Sequence, residues 1–180
     1  QEPAGLGHAV WCARHLVGNE PVAILLADDL ILGTPAMAEM AAQYTSGNMV
    51  ALMDIPAKDT GAYGIITPGN QTGKLTEITA IVEKPSPETA PSTKAVVGRY
   101  ILEPGIFDML AKGQRGAGGE VQLTDALAAR IGQVPFHGFD FTGERYDCGS
   151  KIGFLKANIA FGLAREELQG ELLSWLPTRL

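Results

Sequence analysis

Apolar positions along the first stretch, GLGHAVWCARHLVGNE, recur at helical spacing: Leu6, Ala9, Val10, Ala13 and Val17 share one face. Gly18 follows as a C-terminal stop, so the pattern predicts a helix over 6–17. PVAILLA, residues 21–27, is instead an unbroken apolar run, the signature of a strand buried on both faces. The stretch 35–44 reads as a short amphipathic helix with Thr34 as cap and Pro35 in the first turn. NMVALMDI and AYGIIT are strands. The glycine-rich PGNQTGK is a turn into LTEITAIVEKP, whose spacing of Leu75, Ile78, Ile81 and Val82 suggests extended chain. PSPETAPSTK, with three prolines and little apolar content, is an exposed excursion.

AVVGRYIL returns to strand and EPGIFDMLAKG to helix, and VQLTDALAARIG is a second helix stopped by Gly132. VPFHGFDFTGERYDCG alternates in strand fashion, and the remainder to Leu176 is helical, ending in the amphipathic AREELQGELLSWL. No internal repeat is visible. Strands and helices interleave, which defines an α/β class with a largely parallel or mixed sheet in one domain spanning 1–180.

Composition narrows the picture. A chain of 180 residues, 46% hydrophobic and 19% charged, can bury a substantial core and does not resemble a disordered tail. A net charge of −6 argues against a non-specific grip on nucleic acid. No apolar run approaches the roughly 18 residues that a membrane span needs. Cys12 and Cys148 suggest no disulfide framework and fit two reduced thiols in a cytoplasmic protein. The chain starts at Gln1 and has no methionine before Met37, so it reads as a piece of something longer.

The candidate chemistry sits at strand ends. In LLADDLILG an apolar run stops at two adjacent carboxylates, Asp28 and Asp29, which need a compensating cation. Carboxylates at a strand end suit Mg²⁺, which takes one or two of them together with substrate phosphates; alternatively the pair caps the turn that follows. In extended chain only one of the two can face a given ligand. Glu83 and Lys84 of VEKP fit a polyol hydroxyl and a phosphate on opposite sides of the chain, or else form an exposed ion pair before Pro85. Asp147 of YDCG is either a second carboxylate for the same cation or a helix-entry residue. Gly5 and Gly7 permit close backbone approach to a ligand or simply open the helix. His8, His15 and His137 lack metal-ligand spacing, Cys148 has no partner in sequence for a nucleophilic role, and neither a Walker loop nor GxGxxG is present.

Taken as a series, GLGHAV, LLADDLIL, AYGIITPG, IVEKP, AVVGRYIL, GGEVQLTDAL and YDCGSKIGFLKAN resemble, in order and spacing, the bacterial UTP–glucose-1-phosphate uridylyltransferases, a branch of the sugar-nucleotide pyrophosphorylases. The resemblance covers nearly the whole chain. It implies a Rossmann-like, mixed and mostly parallel sheet flanked by helices, and Mg²⁺-dependent conversion of UTP and glucose 1-phosphate to UDP-glucose and pyrophosphate. It implies Asp28 as the metal-binding aspartate with Asp29 beside it in the pocket, and Gly5 against the uracil. Gly64 and Glu83 match positions that hold glucose hydroxyls, Lys84 the lysine at the sugar phosphate, Gly98 the strand closing the sugar pocket, and Glu120 a motif near the sugar. Asp147 aligns with an acidic position that binds metal in some relatives. Two family features are missing: the nucleotide loop GxGTRxxPxTK and a later PK motif. The sheet is therefore expected to be incomplete at its N-terminal side and the chain inactive by itself, with the uracil-reading glutamine falling at or just before Gln1. A sister pyrophosphorylase using another nucleotide, and a non-catalytic structural piece in which helix 165–176 packs on another subunit, are the competing readings. A homo-oligomer is expected for the complete enzyme.

Overall fold

Strand β3 (Asn48–Asp54) organises the molecule, because its alternate side chains enter two different cores. The computed structural model describes residues 3–179; Gln1, expected at the uracil-reading position, lies outside them with Glu2 and Leu180. Val50 and Leu52 face one core, Met49 and Ala51 the other, and all four are buried. The first core is closed by α1 (Leu6–Cys12), α3 (Ile106–Ala111) and α4 (Leu123–Ala128) through Val10, Ile106, Leu110, Leu123 and Leu127. The second is closed by α2 (Ala36–Gln43), whose Met40 is fully buried. Helices on both faces of a central sheet give the mixed α/β class expected from the interleaved pattern.

The sheet is built from β1 (Val22–Leu25), β3, β4 (Gly64–Thr72), β5 (Leu75–Glu83), β6 (Lys94–Leu102) and β7 (Phe136–Asp140), in the order β1-β6-β3-β7-β5-β4. The expected predominance of parallel strands does not hold within the described residues: only β3–β7 is a parallel strand pair. Two connections cause this. Gly73, at φ +60, makes a two-residue turn that folds β4 back on β5. β6 then inserts antiparallel between β1 and β3, and also meets β4 at Ile65↔Ala95.

A second, two-stranded ribbon pairs β2 (Asp29–Leu32) with β8 (Glu144–Asp147), with Asp29 opposite Asp147. β2 was not foreseen, because its four residues follow the acidic turn without a break in apolar pattern. Other expectations shift as well. The run 21–27 is buried on one face only: Val22 and Ile24 pack inward, while Leu25 is 54% exposed, because β1 is an edge strand paired with β6 alone among the described residues. The first helix ends at Cys12 and continues as a 3₁₀ turn over Arg14–Leu16. α2 has no side-chain cap from Thr34; the carbonyl of Pro35 accepts from Ala38 and Glu39 instead. β4 runs on through PGNQT, so the turn is confined to Gly73 and Lys74. The C-terminal segment is two helices, α5 (Lys151–Leu163) and α6 (Glu166–Trp175).

Candidate functional site

A cleft of about 330 Å³ opens where the end of β1, the start of β4, the end of β5 and the middle of β6 converge with the loop before α4 and the β2–β8 ribbon. Asp29, Gly64, Glu83, Lys84, Gly98, Glu120 and Asp147 all line it. Seven residues singled out in sequence, spread over nearly 120 positions, therefore share one wall-to-wall space. Asp28 and Gly5 are not in the lining. Gly5, at φ +100, packs closely on the Glu120–Val121 segment: a Cβ there would come within 2.8 Å of Glu120 Cβ and 2.9 Å of the Val121 carbonyl oxygen. The loop carrying Glu120 is held against this segment by hydrogen bonds from Val121 N to Ala4 O and from Gly7 N to Val121 O.

VEKP departs from strand geometry at its second charge. Regular alternation would throw Glu83 and Lys84 to opposite sides. Lys84 instead adopts φ +48, in the left-handed region that costs a lysine about 1 kcal/mol or more. Both side chains consequently reach the same cleft, with Lys84 Nζ 3.6 Å from Glu83 Oε1. Glu83 is largely enclosed, its side chain 12% exposed, whereas Lys84 remains 48% exposed. The turn is fixed by backbone: Lys84 N donates to Tyr63 O at 2.9 Å, and the buried Thr60 hydroxyl donates to Pro85 O at 3.2 Å. Gly64 makes room for the carboxylate, since a Cβ there would lie 3.3 Å from Glu83 Oε2 and 3.2 Å from Thr124.

The adjacent aspartates part company. Asp29 is buried, and both its carboxylate oxygens are taken: Oδ2 accepts from Gly98 N at 2.7 Å and Oδ1 accepts from Arg145 Nε at 2.6 Å, with Arg145 Nη2 completing the ion pair. Burial works against the Arg145 charge, but the Asp29 hydrogen bond and charge outweigh it and hold the guanidinium above its ordinary pKa. The cation that compensates Asp29 is therefore a side chain. Asp28 is exposed, its carbonyl accepting from Cys148 N at 2.7 Å. Its carboxylate and that of Asp147 approach one another over Gly149, where a Cβ would sit 3.2 Å from Asp28 Oδ2 and 3.0 Å from Asp147 Oδ1. Exposed Asp28 and half-buried Asp147, whose Oδ1 also accepts from Gly149 N at 2.9 Å, offer oxygen donors that fit a hard cation such as Mg²⁺, which keeps several waters. Among the described residues no group of three or more His, Cys, Asp or Glu could hold a metal, so a cation here would rest on this pair and on non-protein oxygens. Cys12 and Cys148 are both free thiols.

Sequence reasoning missed Arg145, Tyr63, Tyr100 and Thr124, which line the cleft beside the expected residues. Arg145 lies two positions before Asp147 in an alternating strand, hence on the same face, and that spacing was a readable signal. Tyr100 is buried, and burial, reinforced by the charges of Asp29 and Glu83, pushes the pKa of its hydroxyl well above the usual range. No comparable sequence signal marks it.

This cleft, walled by glycines and bearing one lysine and several carboxylates, lies at strand ends of a mixed α/β sheet. Residues 1–161 match the nucleotidyl transferase family model, and the chain belongs to that family. Its relatives include UTP–glucose-1-phosphate uridylyltransferases. That of Komagataeibacter xylinus is 46% identical over 177 residues, covering 97% of this chain and 60% of the relative. One from Bacillus subtilis (strain 168) is 41% identical over 179 residues, covering 98% and 61%. A solved UDP-glucose pyrophosphorylase complexed with UDP-glucose is 38% identical with a TM-score of 0.87, over 92% of this chain and 64% of that one. UTP-bound UGPase from Acinetobacter baumannii is 32% identical with a TM-score of 0.82, over 97% and 62%. The chain thus spans about 60% of the length of the curated relatives it matches.

Proposed function

We propose that this chain carries the sugar-phosphate side of a uridylyltransferase site that joins UTP and glucose 1-phosphate into UDP-glucose with release of pyrophosphate. The observation that carries the reading is the left-handed Lys84, which brings an ammonium and the Glu83 carboxylate into one glycine-walled cleft. The naming of relatives at 41–46% identity as UTP–glucose-1-phosphate uridylyltransferases supports the choice of nucleotide and sugar. In this reading Glu83 accepts hydrogen bonds from glucose hydroxyls, and Gly64 and Gly98 let the sugar ring lie against backbone. Glu120 borders the sugar, and the backbone at Gly5 faces the uracil. Lys84 meets the sugar phosphate, whose oxygen attacks the α-phosphorus of UTP as pyrophosphate departs. Both reactants are anions, so the residues' main work is to position them and offset charge that accumulates as they meet. No protein nucleophile is required. Asp28 and Asp147 are the residues that would hold Mg²⁺. A divalent cation bound there would neutralise phosphate oxygens. Asp29, neutralised by Arg145, shapes the floor of the cleft.

Two further parts belong to the same reading. The exposed Leu168, Leu173 and Trp175 of α6 support packing of helix 165–176 against a second copy in the complete enzyme. A cytoplasmic setting agrees with nucleotide substrates, with two free thiols, and with the finding that no helix among the described residues is long and apolar enough to cross a membrane. Calorimetric titration of UDP-glucose into the chain in the presence of Mg²⁺ tests the proposal. Saturable binding, weakened about tenfold by Glu83→Gln through loss of charged hydrogen bonds, is expected. Equal binding by the variant, or tighter binding of another sugar nucleotide, would overturn the assignment.

A further inference from the structure

The candidate site has two halves carried by different pieces of the fold. Asp28 directly precedes the β2–β8 ribbon and Asp147 ends it, and Lys84 belongs to the turn after β5. A two-stranded ribbon has little stability of its own, so something must set its distance from the lysine turn. Arg145 is placed to do this. Its side chain is 9% exposed, and its Nε and Nη2 hold the Asp29 carboxylate, whose other oxygen is fixed by Gly98 N in the main sheet. Its Nη1 donates to the Tyr63 hydroxyl at 3.1 Å, and its guanidinium carbon lies 5.4 Å from the centre of the Tyr63 ring. The carbonyl of the same Tyr63 accepts from Lys84 N.

We infer that Arg145 is a positioning residue that ties the carboxylate ribbon to the lysine turn through Tyr63, so that the two halves of the site keep a fixed separation. The inference rests on the uridylyltransferase reading for its purpose, though the linkage itself stands on the hydrogen bonds alone. Only a guanidinium serves here: its planar fork engages Asp29 through one edge and Tyr63 through the other, which the single ammonium of a lysine cannot do. Arg99 locks the base of the ribbon separately, donating to the carbonyls of Asp29 and Leu26. Arg145 is thus the contact that extends the link to Tyr63.

The test uses Arg145→Lys, Tyr63→Phe and the double variant of the 180-residue chain. Amide exchange is followed by NMR without ligand, and UDP-glucose affinity is measured by titration. Exchange at Lys84 N is expected to accelerate about fivefold or more in both single variants, and at Gly98 N in Arg145→Lys only, while core amides such as Leu52 keep their rates. UDP-glucose affinity is expected to fall about fivefold in each single variant, and the double variant to be no worse than Arg145→Lys, because the two residues act as one linkage. Unchanged exchange at Lys84, a uniform acceleration that includes Leu52, or affinity losses that multiply in the double variant would overturn the inference. Failure of the wild-type chain to bind UDP-glucose would remove the functional reading, and the Lys84 and Leu52 exchange rates would still decide the linkage.

Discussion

Lys84 trades backbone comfort for position, and that trade is measurable. At φ +48 a glycine would sit without strain, so Lys84→Gly is expected to hold or raise stability by about 0.5–1 kcal/mol while UDP-glucose binding falls at least tenfold. A thermal melt read beside a titration checks both halves, and a stability loss with binding intact would mean that the lysine is a structural residue. The neighbouring aspartates make a second contrast. Asp29→Asn leaves Arg145 as an uncompensated buried charge, and about 3 kcal/mol of destabilisation is expected, whereas Asp28→Asn on the surface is expected to cost under about 0.5 kcal/mol. Denaturant titration of the two variants separates them, and equal losses would contradict the division of labour between the pair. Here the sequence was half legible. Adjacency and extended geometry foretold that the two carboxylates would face apart, but the partner of Asp29 is 116 positions away and its identity was not readable from a local pattern. The same holds for Lys84, whose left-handed turn no residue preference announces.

Elements built from strong periodicity were the readable ones. β3, β5, β6, α3 and α4 form where apolar spacing placed them, because their patterns and their burial agree. Elements that depend on distant partners were not: β2 exists only by pairing with β8, and the antiparallel balance of the sheet follows from where β6 inserts. One cross-element contact gives a pH-dependent expectation. Glu39 of α2 bonds Lys74 of the β4–β5 turn at 2.6 Å and both the amide and hydroxyl of Thr142 after β7. The hydrogen bond from Lys74, then those from Thr142, hold its pKa down to about 2 from the ordinary 4.5. A lowered folded-state pKa stabilises fully above the unfolded value and is lost as pH falls through the folded one. The stability advantage of the wild type over Glu39→Gln is therefore expected to be constant above about pH 5 and to fade between pH 4.5 and pH 2. Thermal melts of both proteins across that range check it, and a difference that persists unchanged at pH 2 would contradict the charge-based origin.

For the molecule as a whole, the cleft is expected to be one part of a catalyst. The 180 residues carry no GxGTRxxPxTK loop to cradle a triphosphate with backbone donors. Turnover of UTP and glucose 1-phosphate by this polypeptide is expected to be negligible, at least about a thousandfold below a uridylyltransferase that has the loop, since several lost anion contacts at 1.4 kcal/mol per tenfold compound. A coupled pyrophosphate-release assay checks it, and rates within tenfold would show that the triphosphate is gripped elsewhere. The central claim is narrower, that a sugar nucleotide seats between Glu83, Lys84 and the glycine walls of β4 and β6. The most direct measurement is amide chemical-shift mapping of the chain as UDP-glucose and Mg²⁺ are added. The expected result is saturable shifts concentrated at Gly64, Glu83, Lys84 and Gly98, with the α6 amides unmoved; no shifts, or shifts centred away from that cleft, would contradict the claim.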